Sequence, residues 1–146
     1  MKDRIQDVLK RLQQDLEQSN IEDFFIVTYD RRGKLVLAGS FDFCYYHDVE
    51  IIFHDVSFIC CPGSTFTVNH FGIAEETVIN NLSHIMNGYD KEGSVISLSD
   101  TFSNTSYYIG AHDVEYKFHK VKYYDKKQTN EYIVSDWAKE RCRNVK

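Results

Sequence analysis

The sequence predicts an α+β fold: a mainly antiparallel β-sheet, or a partly closed sandwich, with an N-terminal amphipathic helix and a short C-terminal helix. Three observations predict it. Apolar residues recur at helical spacing near the N-terminus, short aromatic and β-branched runs separated by turn residues fill the middle, and a capped segment containing the single Trp follows them. The 146 residues suit one domain spanning positions 1–146. With 42% hydrophobic and 27% charged residues, the composition argues against wholesale disorder, collagen-like repetition and a membrane-spanning architecture.

The first element rests on Ile5, Val8, Leu9, Leu12 and Leu16, whose spacing places one apolar stripe on a helix ending near Ser19 and Asn20. Phe24 to Tyr29 and Lys34 to Ala38 read as a hairpin, because Gly33 in the intervening Asp30-Arg31-Arg32-Gly33 supplies the positive φ such a turn often needs. Gly39 and Ser40 are expected to break the second run. The dense aromatic segment from Phe41 to Cys61 follows, and Pro62-Gly63-Ser64 ends it as a loop.

Thr65 to Ala74 resumes a strand, with Phe66, Val68 and His70 on one face and Thr67, Asn69 and Phe71 on the other. Glu75 to Asn87 fits a helix or a strand, and a loop runs from Asn87 to Gly93. Alternation of Val95, Ser97 and Ser99 with Ile96 and Leu98 predicts an edge or half-buried strand. Two further strands are expected at Tyr107 to Glu115 and Tyr116 to Tyr124. A helix from about Ser135 to Arg143, capped by Ser135 and anchored by Trp137, completes the series.

Comparing the chain with itself at an offset of 65 exposes an echo. His47-Asp48-Val49-Glu50-Ile51-Ile52-Phe53-His54-Asp55-Val56 matches His112-Asp113-Val114-Glu115-Tyr116-Lys117-Phe118-His119-Lys120-Val121 at seven of ten positions, suggesting a duplication of segments 47–56 and 112–121. Period-two geometry puts Val49, Ile51, Phe53, Val114, Tyr116 and Phe118 toward the core, and Asp48, Glu50, His54, Asp113, Glu115 and His119 away from it. The spacing from each Phe to the following Val changes parity, which predicts a bulge or tight turn at His54-Asp55 and at His119-Lys120. The outward set has the chemistry of metal ligands. Residues four apart on a strand lie about 13 Å from each other, however, so one ion would require the two copies to be adjacent. No metal and no cofactor are assigned; cross-strand polar pairs account for the pattern.

Nor does a catalytic motif emerge. GxSxG, Walker, GxGxxG and HExxH patterns are absent, leaving only a Cys44 or Cys60 thiolate with His70 as base to consider, and no residue is assigned as catalytic. Cys44, Cys60, Cys61 and Cys142 have no zinc-site spacing. Without a leader or an apolar span, they read as reduced thiols of a cytoplasmic protein, one of the Cys60-Cys61 pair being core. The net charge of −5 is uneven: nine basic against six acidic residues from His112 onward, and eight against sixteen before it. This acidic balance argues against nucleic acid as a partner, despite the Lys/Tyr interleaving of residues 116–127.

At Tyr46-His47-Asp48-Val49-Glu50-Ile51 and Ile52-Phe53-His54-Asp55-Val56-Ser57, the chain resembles strands of small bacterial β-rich immunity proteins, which neutralise a toxin made by the same cell. The resemblance covers about a dozen residues and implies a non-enzymatic protein-binding function. A basic toxin domain would then be held by charge complementarity, with no membrane involved. The expected binding residues are Tyr45, Tyr46, Asp48, Glu50, His54, Tyr107 and Tyr108, since at least one tyrosine of each adjacent pair should face outward. A small hydrolase or metal-dependent enzyme using the His/Asp/Glu faces, or a ligand-binding domain, stands as the alternative.

Overall fold

The computed structural model describes residues 2–40, 46–82, 93–122, 124–126 and 132–134. Helix α1 (Lys2–Glu17) presents the predicted stripe inward, with Ile5, Val8, Leu9, Leu12 and Leu16 all at most 8% exposed. Each such side chain contributes roughly 2 kcal/mol of burial before ordering costs. The helix closes where Ser19 N–H donates to Leu16 O at 3.0 Å and Asn20 takes a left-handed φ of 60°.

Strands β1 (Asp23–Tyr29) and β2 (Leu35–Ser40) form the expected hairpin. Asp30 builds its turn by accepting the N–H groups of Arg32 and Lys34 on Oδ1, and Gly33 sits at φ 84°. Gly39 and Ser40 do not break β2 but extend it. A Cβ on Gly39 would lie 2.5 Å from Phe24 Cε1 and 2.7 Å from Val49 Cγ1, so the glycine makes room for a close approach inside the sheet.

Next come β3 (Tyr46–His54), β4 (Phe58–Cys60), β5 (Phe66–Thr67) and β6 (His70–Ile73), followed by α2 (Glu76–Leu82), β7 (Ser94–Asp100), β8 (Thr105–Ala111) and β9 (Asp113–Lys122). A hairpin of β10 (Tyr124–Lys126) and β11 (Tyr132–Val134), which the sequence pattern did not reveal, follows. Pairing is antiparallel throughout. One sheet has the order β5-β1-β2-β3-β9 and another β4-β8-β7-β6. A single core cluster joins them: Phe24, Leu35, Leu37, Val49, Ile51, Phe53 and Val114 from the first, Phe71, Ile96, Leu98 and Ile109 from the second, and the stripe of α1. The outer face of the first sheet is also buried at Phe25, Ala38 and Ile52.

Four expectations are corrected. The run 65–74 is not one strand: it crosses from one sheet to the other at Val68-Asn69, which breaks the alternation and leaves Phe71 buried and His70 exposed. Strand β7 is interior, lying between β6 and β8, so it is not an edge: Ile96 and Leu98 enter the main core on one face, and Val95 on the other packs with Ala74. The break between the last two long strands falls at His112 instead of 115/116, because the chain changes sheets there, with His112 N–H donating to His54 O at 3.0 Å. Phe118, expected in the core, is 41% exposed on the edge strand β9, beyond the last covering side chain of its row. The open segment after Glu75 is helical over 76–82. The expected helix 135–143 with Trp137, the loop at 87–92, and Tyr45, Cys44, Cys142 and His84 lie outside the described residues.

Candidate interaction surface

The echoing segments are adjacent. Strands β3 and β9 pair antiparallel with Ile51 opposite Tyr116, Glu50 opposite Lys117 and Ile52 opposite Glu115. Ile51 and Tyr116 are equivalent positions of the echo, so a local two-fold passes between them, and whatever one strand contributes on one side the other contributes on the opposite side. Two diagonal contacts show it: His54 Nε2 lies 3.7 Å from Glu115 Oε2, and His119 Nε2 lies 3.7 Å from Glu50 Oε1. The predicted irregularities are both present. Asp55 turns at φ 50°, and Asp48 of β3 faces two residues of β9, His119 and Lys120, between the 47/121 and 49/118 pairs.

Glu50 is the hub of this surface. Its carboxylate, only 16% exposed, meets His47 Nε2 at 3.2 Å, Lys117 Nζ at 3.4 Å and His119 Nε2 at 3.7 Å. His47 is fully buried. Burial lowers its pKa below the ordinary imidazole value, and the Glu50 carboxylate opposes that shift without overcoming it. The bulge turns Lys120 over the ring of Tyr46, with Nζ 4.3 Å from the centroid.

Strand β9 is tied to α1 by two of its residues. Arg4 Nε donates to Asp113 Oδ1 at 3.1 Å and Tyr116 Oη donates to Asp15 Oδ2 at 2.7 Å. Burial, then the Asp15 carboxylate, pushes the Tyr116 phenol up to about 12. For Asp113, burial raises the carboxyl pKa, but Arg4 and the Val114 N–H outweigh it and hold it below its usual value.

Of the expected binding residues, the structure brings together Tyr46, Asp48, Glu50 and His54 along β3. Tyr107 and Tyr108 belong to the other sheet. Tyr107 packs into the core, its ring edge-on to Phe66 at 5.0 Å, and Tyr108 packs under α2 with Val78, Ile79 and Leu82. Pattern reading missed His47 as a buried partner and Lys117 and Lys120 as members of the surface. A signal existed: had the echoes been paired antiparallel about their centres, Glu50 would have fallen opposite Lys117.

The Cys60–His70 pairing does not form, and Cys44 lies outside the described residues. Cys60 and His70 lie on opposite edge strands of the four-stranded sheet, three strand spacings or about 14 Å apart. Cys60 and Cys61 are free thiols, and burial pushes Cys61 up to about 12. Although the two acidic and histidine faces meet, among the described residues no three His, Cys, Asp or Glu side chains are grouped to hold a metal ion. No described helix is long and apolar enough to cross a membrane. No protein-family model matches the chain, and neither does any curated protein or solved structure.

Proposed function

We propose that the chain is a non-enzymatic protein-binding domain of the immunity type, whose contact surface is the outer face and rim of the β3–β9 pair. One observation carries this reading: β9, a ten-residue edge strand, leaves Phe118 exposed at the rim of its inner face, while its outer face carries the Glu50 cluster and the Tyr46–Lys120 pair. An aromatic anchor within a polar, charged rim is the usual anatomy of a protein contact. The bulge and Lys117 and Lys120 guard the strand against indiscriminate pairing, so recognition here runs through side chains. The net charge of −5 would steer a basic partner such as a toxin domain. In the same proposal the chain is one cytoplasmic domain, with its two sheets facing each other as a partly closed sandwich.

The coding sequence beside this one supplies the candidate partner, and titration calorimetry of the two pure proteins tests it. Binding that Phe118→Glu weakens at least tenfold supports the proposal. A neighbour that does not bind, or binds the variant equally, overturns it. A second reading, acid–base chemistry at Glu50, is favoured by the convergence of His47, Lys117 and His119 on its carboxylate. It requires turnover by the pure protein that Glu50→Gln abolishes.

A further inference from the structure

A second edge of the molecule has different chemistry. Strand β6 borders the four-stranded sheet, and its alternate residues His70, Gly72 and Ala74 direct their main-chain groups to β7, as the 2.8 Å bond from Ala74 N–H to Val95 O shows. The intervening Phe71 and Ile73 direct theirs away. One stretch of this edge is already extended by a side chain: the amide of Gln13 accepts from Phe71 N–H at 2.9 Å and donates to Asn69 O at 2.8 Å, as a neighbouring peptide group would. Beyond it, Phe71 C=O, Ile73 N–H and Ile73 C=O have no hydrogen-bond partner among the described residues. They open onto a groove of about 510 Å³ bordered by Gln6, Lys10 and Gln14 of α1.

We propose that this groove binds an extended segment of a partner protein, which adds to β6 as a further strand. Three main-chain groups in the order acceptor, donor, acceptor, at the spacing of a strand, are matched by the alternating donors and acceptors of peptide backbone. The border favours the same occupant. It is rich in neutral amides, and its charges, Lys10 and Glu17, are of opposite sign and form no patch that would select an anionic or cationic head group. Side chains of the incoming strand lie over the polar face of α1, so the site reads backbone more than sequence. This site goes beyond the β3–β9 surface and shares no residue with it.

The test is a random heptapeptide library panned against the whole chain, with the enriched peptides measured by fluorescence anisotropy and by amide hydrogen exchange. The Ile73 amide is expected to exchange fast in the free protein and more slowly when peptide binds. Ile73→Pro removes that N–H without touching the ladder to β7 and is expected to weaken binding about tenfold, while Ile73→Val keeps it. If the proline variant does not fold, protection of the Ile73 amide in the unaltered protein still decides the matter. Absence of enriched peptides, no protection at Ile73, or equal binding to a folded proline variant overturns the proposal. So does concentration-dependent dimerisation that the proline variant loses, which would show a second copy on this edge.

Discussion

Gly39→Ala is the sharpest probe of how the five-stranded sheet is assembled. Across its inner face Phe66, Phe24, Gly39, Val49 and Phe118 lie in one row, and the ring of Phe24 occupies the space a side chain at 39 would need. The added Cβ would stand 2.5 and 2.9 Å from two Phe24 ring atoms and 2.7 Å from Val49 Cγ1, where real carbons keep about 3.5 Å or more. Phe24 and Val49 are both fully buried, so neither can turn toward solvent. Overpacking of this kind costs about 1–3 kcal/mol, and the reduced freedom of the unfolded chain returns only about 0.4–1. The net loss should be about 1–2 kcal/mol. Urea unfolding followed by circular dichroism reads it as a lower midpoint at unchanged slope. Gly63→Ala is the matched control, because nothing lies within 4 Å of a Cβ there and its φ is not left-handed. If Gly39→Ala unfolds at the same urea concentration as the parent, the close-packed row is wrong.

Three further outcomes follow from the charges and thiols. Because the folded pKa of His47 lies below the unfolded value of about 6.5, the unfolded chain binds more protons between the two; stability therefore rises with pH across that window and declines on acidification below about pH 6.5. His47→Gln should flatten this dependence in urea midpoints measured from pH 8 to 5, and an unchanged slope would count against it. Spectrophotometric titration should find one tyrosine ionising near pH 12 that Tyr116→Phe removes, and its persistence in that variant would reassign it. Brief alkylation at pH 8 followed by peptide mapping should modify exposed Cys60 well before Cys61, whose thiol, pushed up to about 12, supplies little thiolate; equal labelling would refute the burial of Cys61.

Local regularities were legible and sheet crossings were not. The α1 stripe and the 30–33 turn follow from spacing and from Gly33, and both irregularities near the echoes follow from a parity change that any strand reading exposes. Gly39 deceived because a glycine in a run looks like a break until the ring of Phe24, fifteen residues away, is known to lie over it. The crossings at Val68-Asn69 and at His112 carry no glycine or proline. There the chain leaves one sheet for the other within one or two residues, so alternation fails with neither residue to mark it. Tyr107 and Tyr108 were separated from the β3 residues by that second crossing. Phe118 left the core because the sequence does not say which strand is the last one in a sheet.

The position of β9 at the border also explains where the echo fails. Three of its ten positions differ: Ile51 and Tyr116, Ile52 and Lys117, Asp55 and Lys120. Strand β3 is interior, so its two central residues are both apolar and both buried, Ile51 at 0% and Ile52 at 7% exposure. Their counterparts on β9 have neighbours on one side only. Tyr116 keeps a ring against the core and sends its hydroxyl out to Asp15 of α1, and Lys117 turns to Glu50 across the pair. The third difference falls at the irregularity, where Asp55 takes a left-handed turn between strands and Lys120 occupies a bulge over Tyr46. The retained positions do the opposite work. Both His-Asp-Val-Glu runs and both Phe-His pairs recur because antiparallel pairing about a common centre makes each glutamate face the other strand's second histidine, giving the two equal 3.7 Å contacts. Keeping the pairing residues while changing the central ones turns two similar strands into one interior strand and one edge, and Lys117, Phe118 and Lys120 lie on that edge.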